Sequence, residues 1–309
     1  MTPSPGPDQG RAALASAFGC YVMWGLMPLL FMGQHAAGFD ALEILAHRTV
    51  WAAPVALLLV LAARQGGQAA AVFRDGRTLG WLALSTLLIG TNWGVYVWAT
   101  THQATLEASL GYYLNPLLNM VVGLWLFRER MDRFGWAAVA LAAVGVLLQA
   151  LALGRPPWIS IFLAVSFASY GVIRKRVPVE AQAGLLVECL LLAPFGLLWV
   201  IWLAQTGQGV AFDDPVHALW AVANGPATVL PLALFAWAAR RMPLSTLGFI
   251  QFLAPTLQFA VGVMAGEALT PLRAISFVFI WSGAAVFALG AVLRHRAERR
   301  ALAASAEPI

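Results

Sequence analysis

The sequence contains few charged residues, few cysteines and almost no lysine. Charged side chains occupy 11% of its 309 positions, a single lysine stands among 19 basic residues, and the only cysteines are Cys20 and Cys189. Soluble domains average about 25% charged residues, so this scarcity argues against a chain surrounded by water. Both cysteines lie in apolar stretches without metal-site spacing, which predicts two small buried residues.

Sequence motifs of catalysis and nucleotide binding are also missing. No GxxxxGK[ST] loop is present, which excludes ATP as the direct energy source. The stretch "EILAHR" does not supply the HExxH of a zinc protease, and "IWSG" at 280–283 lacks the first glycine of a GxSG motif. We therefore expect no enzyme activity, no cofactor and no metal.

Long apolar runs dominate what is present. Hydrophobic residues make up 61% of the chain, and its mean hydropathy is +0.76. An apolar stretch of about 20 residues is long enough to cross a hydrocarbon core about 30 Å thick. Ten such stretches are predicted to span a membrane: 12–33, 41–63, 78–99, 105–127, 134–153, 157–174, 182–204, 216–239, 245–265 and 271–293. The expected fold class is an all-α membrane protein with ten transmembrane helices.

The distribution of basic residues predicts the orientation of the chain. If the N-terminus is cytoplasmic, 16 of the 19 basic residues fall in cytoplasmic segments. Short arginine-rich loops stay on that side because the translocation of positive charge is disfavoured. An even number of spans then places both termini in the cytoplasm. The terminal "RHRAERR" is interpreted as part of this anchor, so we expect no nucleic-acid partner.

The two halves of the sequence resemble each other. The aligned pairs are Trp98-Ala99 with Trp237-Ala238, 109–112 with 246–249, Pro116 with Pro255, and Pro54 with Pro194. Two repeats, 12–153 and 157–294, then hold five spans each, flanked by a disordered tail 1–11 and a basic cytoplasmic tail 295–309. Because five is odd, the halves cross the membrane in opposite senses, as in many secondary transporters.

Four collinear motifs carry a resemblance to a known family. They are "EILAHR" (43–48), "NWGVYVWA" (92–99), "LEASLGYYLNPL" (106–117) and "LSTLGFIQFLAPT" (244–256). In these motifs the sequence resembles RarD-type permeases of the EamA family, within the drug/metabolite transporter superfamily. The resemblance covers nearly the whole chain. It implies two inverted five-helix EamA repeats in the bacterial inner membrane.

A proline interrupts the fourth predicted span. Pro116 cannot donate an N–H, so the carbonyl of Tyr112 loses its helical partner. In the second half, Pro255 is expected to free the carbonyl of Gln251 in the same way. The polar side chains of the fourth span share one face: Tyr112, Asn115 and Asn119. Two interpretations remain open, a packing kink with amides bonded between helices, or a face that lines a substrate cavity.

Charged residues in the predicted spans are further candidates. Glu43 and His47 are spaced i, i+4 and can hydrogen-bond along the helix, and Glu43 is expected to be an acid at the helix start. The repeat alignment makes Arg48 equivalent to Glu188, so equivalent sites carry opposite charges. Either the two residues face a central cavity, paired with each other or offering opposite poles to a zwitterionic or polar solute, or they are a structural ion pair or two separate snorkelling charges.

The remaining candidates are amides and aromatic residues. Asn92 and Tyr96 are spaced i, i+4, and Trp24 and Tyr170 each precede a glycine at comparable places in the repeats. An amide buried in a span must be hydrogen-bonded, whereas a single tryptophan is more often a packing residue. The predicted substrate-binding residues are Trp24, His47, Arg48, Asn92, Tyr96, Tyr112, Asn115, Asn119, Tyr170, Glu188 and Gln251.

The function predicted from these features is secondary transport of a small organic metabolite or drug by alternating access through a central polar cavity. The alternative is a non-transporting structural or accessory membrane protein. The expected partners are a small-molecule substrate and the lipid bilayer, and the oligomeric state is left open, with a monomer as one option.

Overall fold

The computed structural model describes residues 7–126, 132–239, 241 and 250–305. Within these ranges the chain is helical and contains no β-strand. The helices are α1 Pro7–Ala36, α2 Ala41–Ala62, α3 Gly66–Val72, α4 Gly76–Thr101, α5 Thr105–Leu126, α6 Arg133–Leu153, α7 Trp158–Arg176, α8 Ala181–Thr206, α9 Pro215–Ala239, α10 Leu253–Met264 and α11 Pro271–Ser305.

Seven described helices are long and apolar enough to cross a membrane: α1, α2, α4, α6, α8, α9 and α11. Shorter apolar stretches occur in α7 and α10. The fold is therefore an all-α, multi-pass membrane fold, while the count of ten spans stays a prediction.

Two helix boundaries differ from those predicted. Helix α1 begins at Pro7, so residues 7–11 of the predicted disordered tail are helical in the structure. Proline is well suited to the first turn of a helix, where its missing N–H has no partner to lose. The short helix α3 lies between α2 and α4 and has no counterpart among the predicted spans. Residues 1–6 and 306–309 lie outside the described part.

Local sequence signals account for several helix ends. The carboxylate of Asp40 accepts the backbone N–H groups of Leu42 and Glu43 at 2.6 and 2.9 Å, which caps the start of α2. Gly154 and Gly207 end α6 and α8 with φ angles of 63° and 65°. This left-handed conformation is favourable for glycine at a helix C-terminus.

Pro255, the proline in the second half of the chain, lies at a different position in its helix from the one predicted. Helix α10 begins at Leu253, so Pro255 falls in its first turn, where backbone N–H groups lack helical partners anyway. The carbonyl of Gln251 accepts the N–H of Ala254 at 3.4 Å. The prediction that Pro255 frees this carbonyl was therefore wrong.

Close helix contacts surround the centre of the bundle. Helix α2 packs against both α8 and α9, α1 packs against α9 and α10, and α4 and α5 both pack against α7. Helices α6 and α11 form an extensive pair of their own. Consequently one face of α2, which carries Arg48, is covered by two helices from the second half of the chain.

Two buried carboxylates join distant segments through backbone N–H groups. Glu43 accepts from Val210 and Ala211 at 3.0 and 3.1 Å, in the connection between α8 and α9. Glu267 accepts from Thr105 and Leu106 at 2.5 and 2.9 Å. A carboxylate at the start of α5 satisfies N–H groups that have no helical partner and matches the positive end of the helix dipole.

We expect Glu267→Ala to destabilise the protein, because it leaves two buried N–H groups of α5 without an acceptor. Each unsatisfied buried group costs about 1–3 kcal/mol. The melting temperature of the purified protein measures the effect. The matched control is Asp213→Ala, at an exposed acid in the connection between α8 and α9. Equal melting temperatures for the two variants would show that Glu267 does not cap α5.

Candidate functional site

Arg48 lies at the centre of the candidate site. It is the eighth residue of α2, and only 5% of its surface is exposed. Its Nε donates a hydrogen bond to the Thr228 hydroxyl on α9 at 3.1 Å. Because the side chain bonds to α9 and is almost fully buried, the arginine is directed into protein and away from lipid. This contact joins the first half of the chain to the second.

Aromatic rings surround the guanidinium group. Its central carbon lies 4.4 Å from the ring centroid of Trp93 and 5.4 Å from that of Phe31. Such distances give favourable interactions between a cation and the face of a π system. The side chains of Tyr96 and Tyr112 lie near the guanidinium. The two tyrosine rings meet edge to face, with centroids 5.4 Å apart.

Several polar atoms around Arg48 have no hydrogen-bond partner among the described residues. They include Nη1 of Arg48, the hydroxyl of Tyr96, Oε1 of Gln258 and Oδ1 of Asn115, all of them buried. The side chain of Gln258 faces the Tyr96 hydroxyl and is oriented by a hydrogen bond from its Nε2 to the carbonyl of Trp24 at 3.1 Å. Unsatisfied buried polar groups are costly, and these atoms are closed to solvent in this conformation, so a polar ligand that satisfies them can enter only after the helices separate.

We call this group the Arg48 site. It consists of Arg48, Trp93, Tyr96, Tyr112, Thr228 and Gln258, contributed by α2, α4, α5, α9 and α10.

Asn92 fixes one wall of the Arg48 site. Its amide nitrogen donates to the carbonyl of Leu163 at 3.0 Å and to the Ser166 hydroxyl at 2.9 Å, both on α7. Its amide oxygen accepts from the Tyr112 hydroxyl at 3.2 Å. Asn92 is thus fully bonded, and it positions the Tyr112 side chain next to the guanidinium.

Glu188 belongs to a second buried group, which we call the Glu188 cluster: Ser85, Tyr170, Arg174 and Glu188. The carboxylate accepts from the Ser85 hydroxyl at 2.5 Å and from the Tyr170 hydroxyl at 3.2 Å. It also lies 3.7 Å from Nε of Arg174. A direct ion pair between Arg48 and Glu188, one of the alternatives considered from the sequence, is therefore not formed.

Helix geometry explains why these two charges are apart. Gly196 of α8 packs against Ala46 and Thr49, so it marks the level of Arg48 on α8. Glu188 lies eight residues earlier, which corresponds to about 12 Å along the helix axis at about 1.5 Å per residue. The ring of Phe167 lies between the two groups, 6.2 Å from Tyr112 and 6.0 Å from Tyr170.

Other predicted residues lie away from the Arg48 site. His47 is buried between the rings of Phe39 and Phe212, and its Nε2 is 4.0 Å from the Glu43 carboxylate, too far for the predicted hydrogen bond. The ring of Trp24 packs on Tyr21 and Phe235. Gln251 lies just before α10, and the side chain of Asn119 is outside the described part.

Sequence reasoning missed three members of the site. They are Trp93, Thr228 and Gln258. Each lies in an apolar run, where the sequence alone does not show which neighbouring helix its side chain faces. Gln258 carried a usable signal, because a lone amide within a span requires a partner. Thr228 carried none, since a threonine hydroxyl can bond to its own helix backbone.

A separate cavity of about 540 Å³ lies between α5, α6 and α7. Its lining is apolar and includes Leu117, Ala142, Val146, Pro157 and Ile161. It lacks polar groups that could orient a solute, so it is distinct from the Arg48 site.

Comparison with known proteins decides the family. A model of the EamA-like transporter family matches residues 11–151. Protein RarD of Streptomyces exfoliatus is 40% identical over 304 residues, which cover 98% of this chain and 96% of that protein. The chain belongs to the EamA family. It is a RarD-type permease and a multi-pass bacterial membrane transporter.

Further relatives of this EamA-family chain cover most of its length. An uncharacterized transporter of Pseudomonas aeruginosa is 44% identical over 273 residues, covering 88% of this chain and 91% of that protein. Protein RarD of Escherichia coli is 37% identical over 290 residues, covering 93% and 97%. One solved crystal structure matches with a TM-score of 0.61 at 23% identity, over 90% of this chain and 98% of the other, and it indicates the fold alone.

Proposed function

We propose that this EamA-family chain is a secondary transporter that moves a small organic molecule by alternating access to the Arg48 site. The observation that carries the proposal is a buried group of polar atoms without partners, enclosed by aromatic rings and built by helices from both halves of the chain. A ligand site of this kind combines apolar walls with a few convergent polar groups.

The pattern of helix packing supports two inverted repeats. If α1, α2, α4, α5 and α6 correspond in order to α7, α8, α9, the α10 segment and α11, the extensive inter-repeat contacts have equivalents. The contact of α1 with α9 corresponds to that of α7 with α4, and α1 with α10 corresponds to α7 with α5. The contacts α2–α8 and α6–α11 map onto themselves. This exchange is what a two-fold axis in the membrane plane produces.

The same correspondence supports ten membrane spans, because every described helix except the seven-residue α3 matches one predicted span. We propose cytoplasmic termini, with the two repeats at 12–153 and 157–294. In this arrangement α3 and the arginines at 64, 74 and 77 lie on the cytoplasmic side, as the charge rule requires.

The candidate residues take different roles in this proposal. Arg48, Tyr96 and Tyr112 contact the solute directly, and Asn92 positions Tyr112. Asn115 extends the same face of α5 by one turn, with a buried oxygen free to accept a hydrogen bond. Tyr170 and Glu188 form the neighbouring cluster, which links α7 and α8 to α4.

Transport in proteoliposomes tests the proposal. Vesicles containing the purified protein are exposed to a mixture of small metabolites, and the solutes that enter or leave are identified by mass spectrometry. We expect at least one solute to move faster than in empty vesicles, and Asn115→Ala to slow it relative to Gln208→Ala, an exposed amide in the connection after α8. If no solute moves in either direction, the alternative of a non-transporting accessory protein is favoured.

A further inference from the structure

We propose that the solute carries a negatively charged group, a carboxylate in the simplest case, and that this group binds the guanidinium of Arg48. The inference rests on the proposed transport function and assigns its substrate class, a small organic anion with an apolar or aromatic body.

The buried carboxylates of the described residues all have partners within the chain. Glu188 has Arg174, and Glu107 is bonded to Arg155 at 2.9 Å. Glu43 and Glu267 each accept two backbone N–H groups. Among the described residues, Arg48 has no carboxylate within 4.0 Å of its nitrogen atoms. It is therefore a buried charge without a counter-charge from the described chain.

An arginine in this position cannot avoid the free-energy cost of burying a charge by losing its proton. The guanidinium group keeps its charge under all ordinary conditions in proteins. A buried charge is stabilised only by a well-placed opposite charge together with hydrogen bonds. The rings of Trp93 and Phe31 and the Thr228 hydroxyl supply part of this stabilisation and no negative charge. A ligand with a negative charge would supply the rest.

The orientation of the guanidinium group matches this ligand. The bond from Nε to Thr228 and the contact with Trp93 fix the plane of the group, while Nη1 stays without a partner. The edge that carries Nη1 can therefore donate to an acceptor. A carboxylate fits such a planar donor edge with two parallel hydrogen bonds. The neighbouring Tyr96 hydroxyl, which faces Gln258 without a close hydrogen bond, can donate a third.

The side chains around the Nη1 edge of the guanidinium group indicate the chemistry of the rest of the ligand. Phe31, Trp93, Tyr96 and Tyr112 contribute rings around the guanidinium. Gln258 contributes an amide oxygen, next to the Tyr96 hydroxyl, that would accept a hydrogen bond from the solute. These groups favour a compact organic acid over an inorganic anion, because most of the contact area is apolar.

Matched probes that differ only in charge test the inference. The probes are benzoate, benzamide and benzylamine, then indole-3-acetate, indole-3-acetamide and tryptamine, and finally butyrate, butyramide and butylamine. Their affinity for the purified protein follows from the rise in melting temperature with ligand concentration, since a ligand that binds the folded state stabilises it. In at least one set, we expect the acid to bind ten or more times as tightly as the amide, and the amine to bind less tightly than the amide.

Substitutions locate the charge preference. Arg48→Gln is expected to abolish the preference for the acid, whereas Arg77→Gln, at an exposed arginine at the start of α4, keeps it. Tyr96→Phe, which keeps the ring, is expected to weaken acid binding three- to tenfold. If Arg48→Gln does not yield folded protein, Tyr96→Phe and the probe series on the unmodified chain decide the question.

The outcomes separate this inference from the proposed function. A lack of charge preference in all three probe sets, including a lack of any binding, would overturn the inference. Transport of neutral or cationic solutes with no transport of anions would also overturn it and leave the transport function in place. Tight binding of acids by a protein that transports nothing would instead overturn the proposed function.

Discussion

Gly225→Ala is expected to destabilise the protein strongly, whereas Gly80→Ala is expected to be neutral or stabilising. A Cβ atom at position 225 would overlap the backbone carbonyl of Trp51 on α2, with the carbonyl carbon 2.8 Å away. Backbone atoms of a packed helix cannot move aside as a flexible side chain can, so α2 and α9 must separate. Overpacking of this kind typically costs about 1–3 kcal/mol.

Position 80 is the matched control, because it also lies within a helix and a Cβ atom added there would have no neighbouring atom within 4 Å. There alanine should add about 0.5–1 kcal/mol of stability through the lower entropy of the unfolded chain. The melting temperatures and size-exclusion profiles of the two variants measure the difference. Equal stability would mean that α2 and α9 do not approach as described.

The separation of α2 and α9 also has a functional consequence. Gly225 lies three residues before Thr228 and therefore on the same face of α9. Any movement that accommodates a methyl group at Gly225 will lengthen the 3.1 Å hydrogen bond between Arg48 and Thr228. We therefore expect the small amount of folded Gly225→Ala protein to show weakened solute binding as well.

Glu188→Leu is expected to cause the second large loss of stability. The substitution leaves the guanidinium of Arg174 without its carboxylate and the Tyr170 hydroxyl without an acceptor, whereas the Ser85 hydroxyl keeps the carbonyl of Leu82 as its acceptor. The removal of one partner from a buried ion pair costs about 3–5 kcal/mol. The lower end of this range is expected here, because 13% of the Arg174 side chain is exposed.

Glu188→Gln provides the graded comparison, since its amide oxygen can still accept one of the two hydroxyl hydrogen bonds. It should lose less stability than Glu188→Leu, and Asp213→Ala, at an exposed acid, should lose almost none. Thermal unfolding of the three variants under one set of conditions measures the order. A leucine variant as stable as the unmodified chain would contradict the role of Glu188 as the acceptor that joins α4, α7 and α8.

Apolar runs predicted the helical membrane fold because each run depends on a single segment of sequence. Asn92 illustrates a correct inference of the same kind, since an amide in an apolar helix must bond to something, and it bonds to α7. Pro255 illustrates the limit. The effect of a proline depends on where the helix starts, and the start of α10 at Leu253 could not be read from its apolar run.

The separation of Arg48 and Glu188 shows why repeat equivalence did not predict contact. Each residue lies seven positions after the first residue of its helix, about 10 Å along α2 or α8. In the proposed inverted repeat, the two-fold axis lies in the membrane plane, so equivalent residues have opposite depths. Only equivalent residues near the midplane can meet. The spacing of residues within one helix does not reveal how deep in the membrane a residue lies. Only the packing of the helices against each other shows this depth.

Accessibility of a single cysteine tests the central claim most directly, that the Arg48 site opens to both sides of the membrane in turn. The native thiols Cys20 and Cys189 are buried and can be replaced by alanine, after which Thr228→Cys places one small thiol beside Arg48. A membrane-impermeant maleimide is then applied to right-side-out and to inside-out vesicles. We predict labelling in both preparations and its suppression by a transported solute. Labelling from one side only, or from neither side while the unfolded chain reacts fully, would contradict the account.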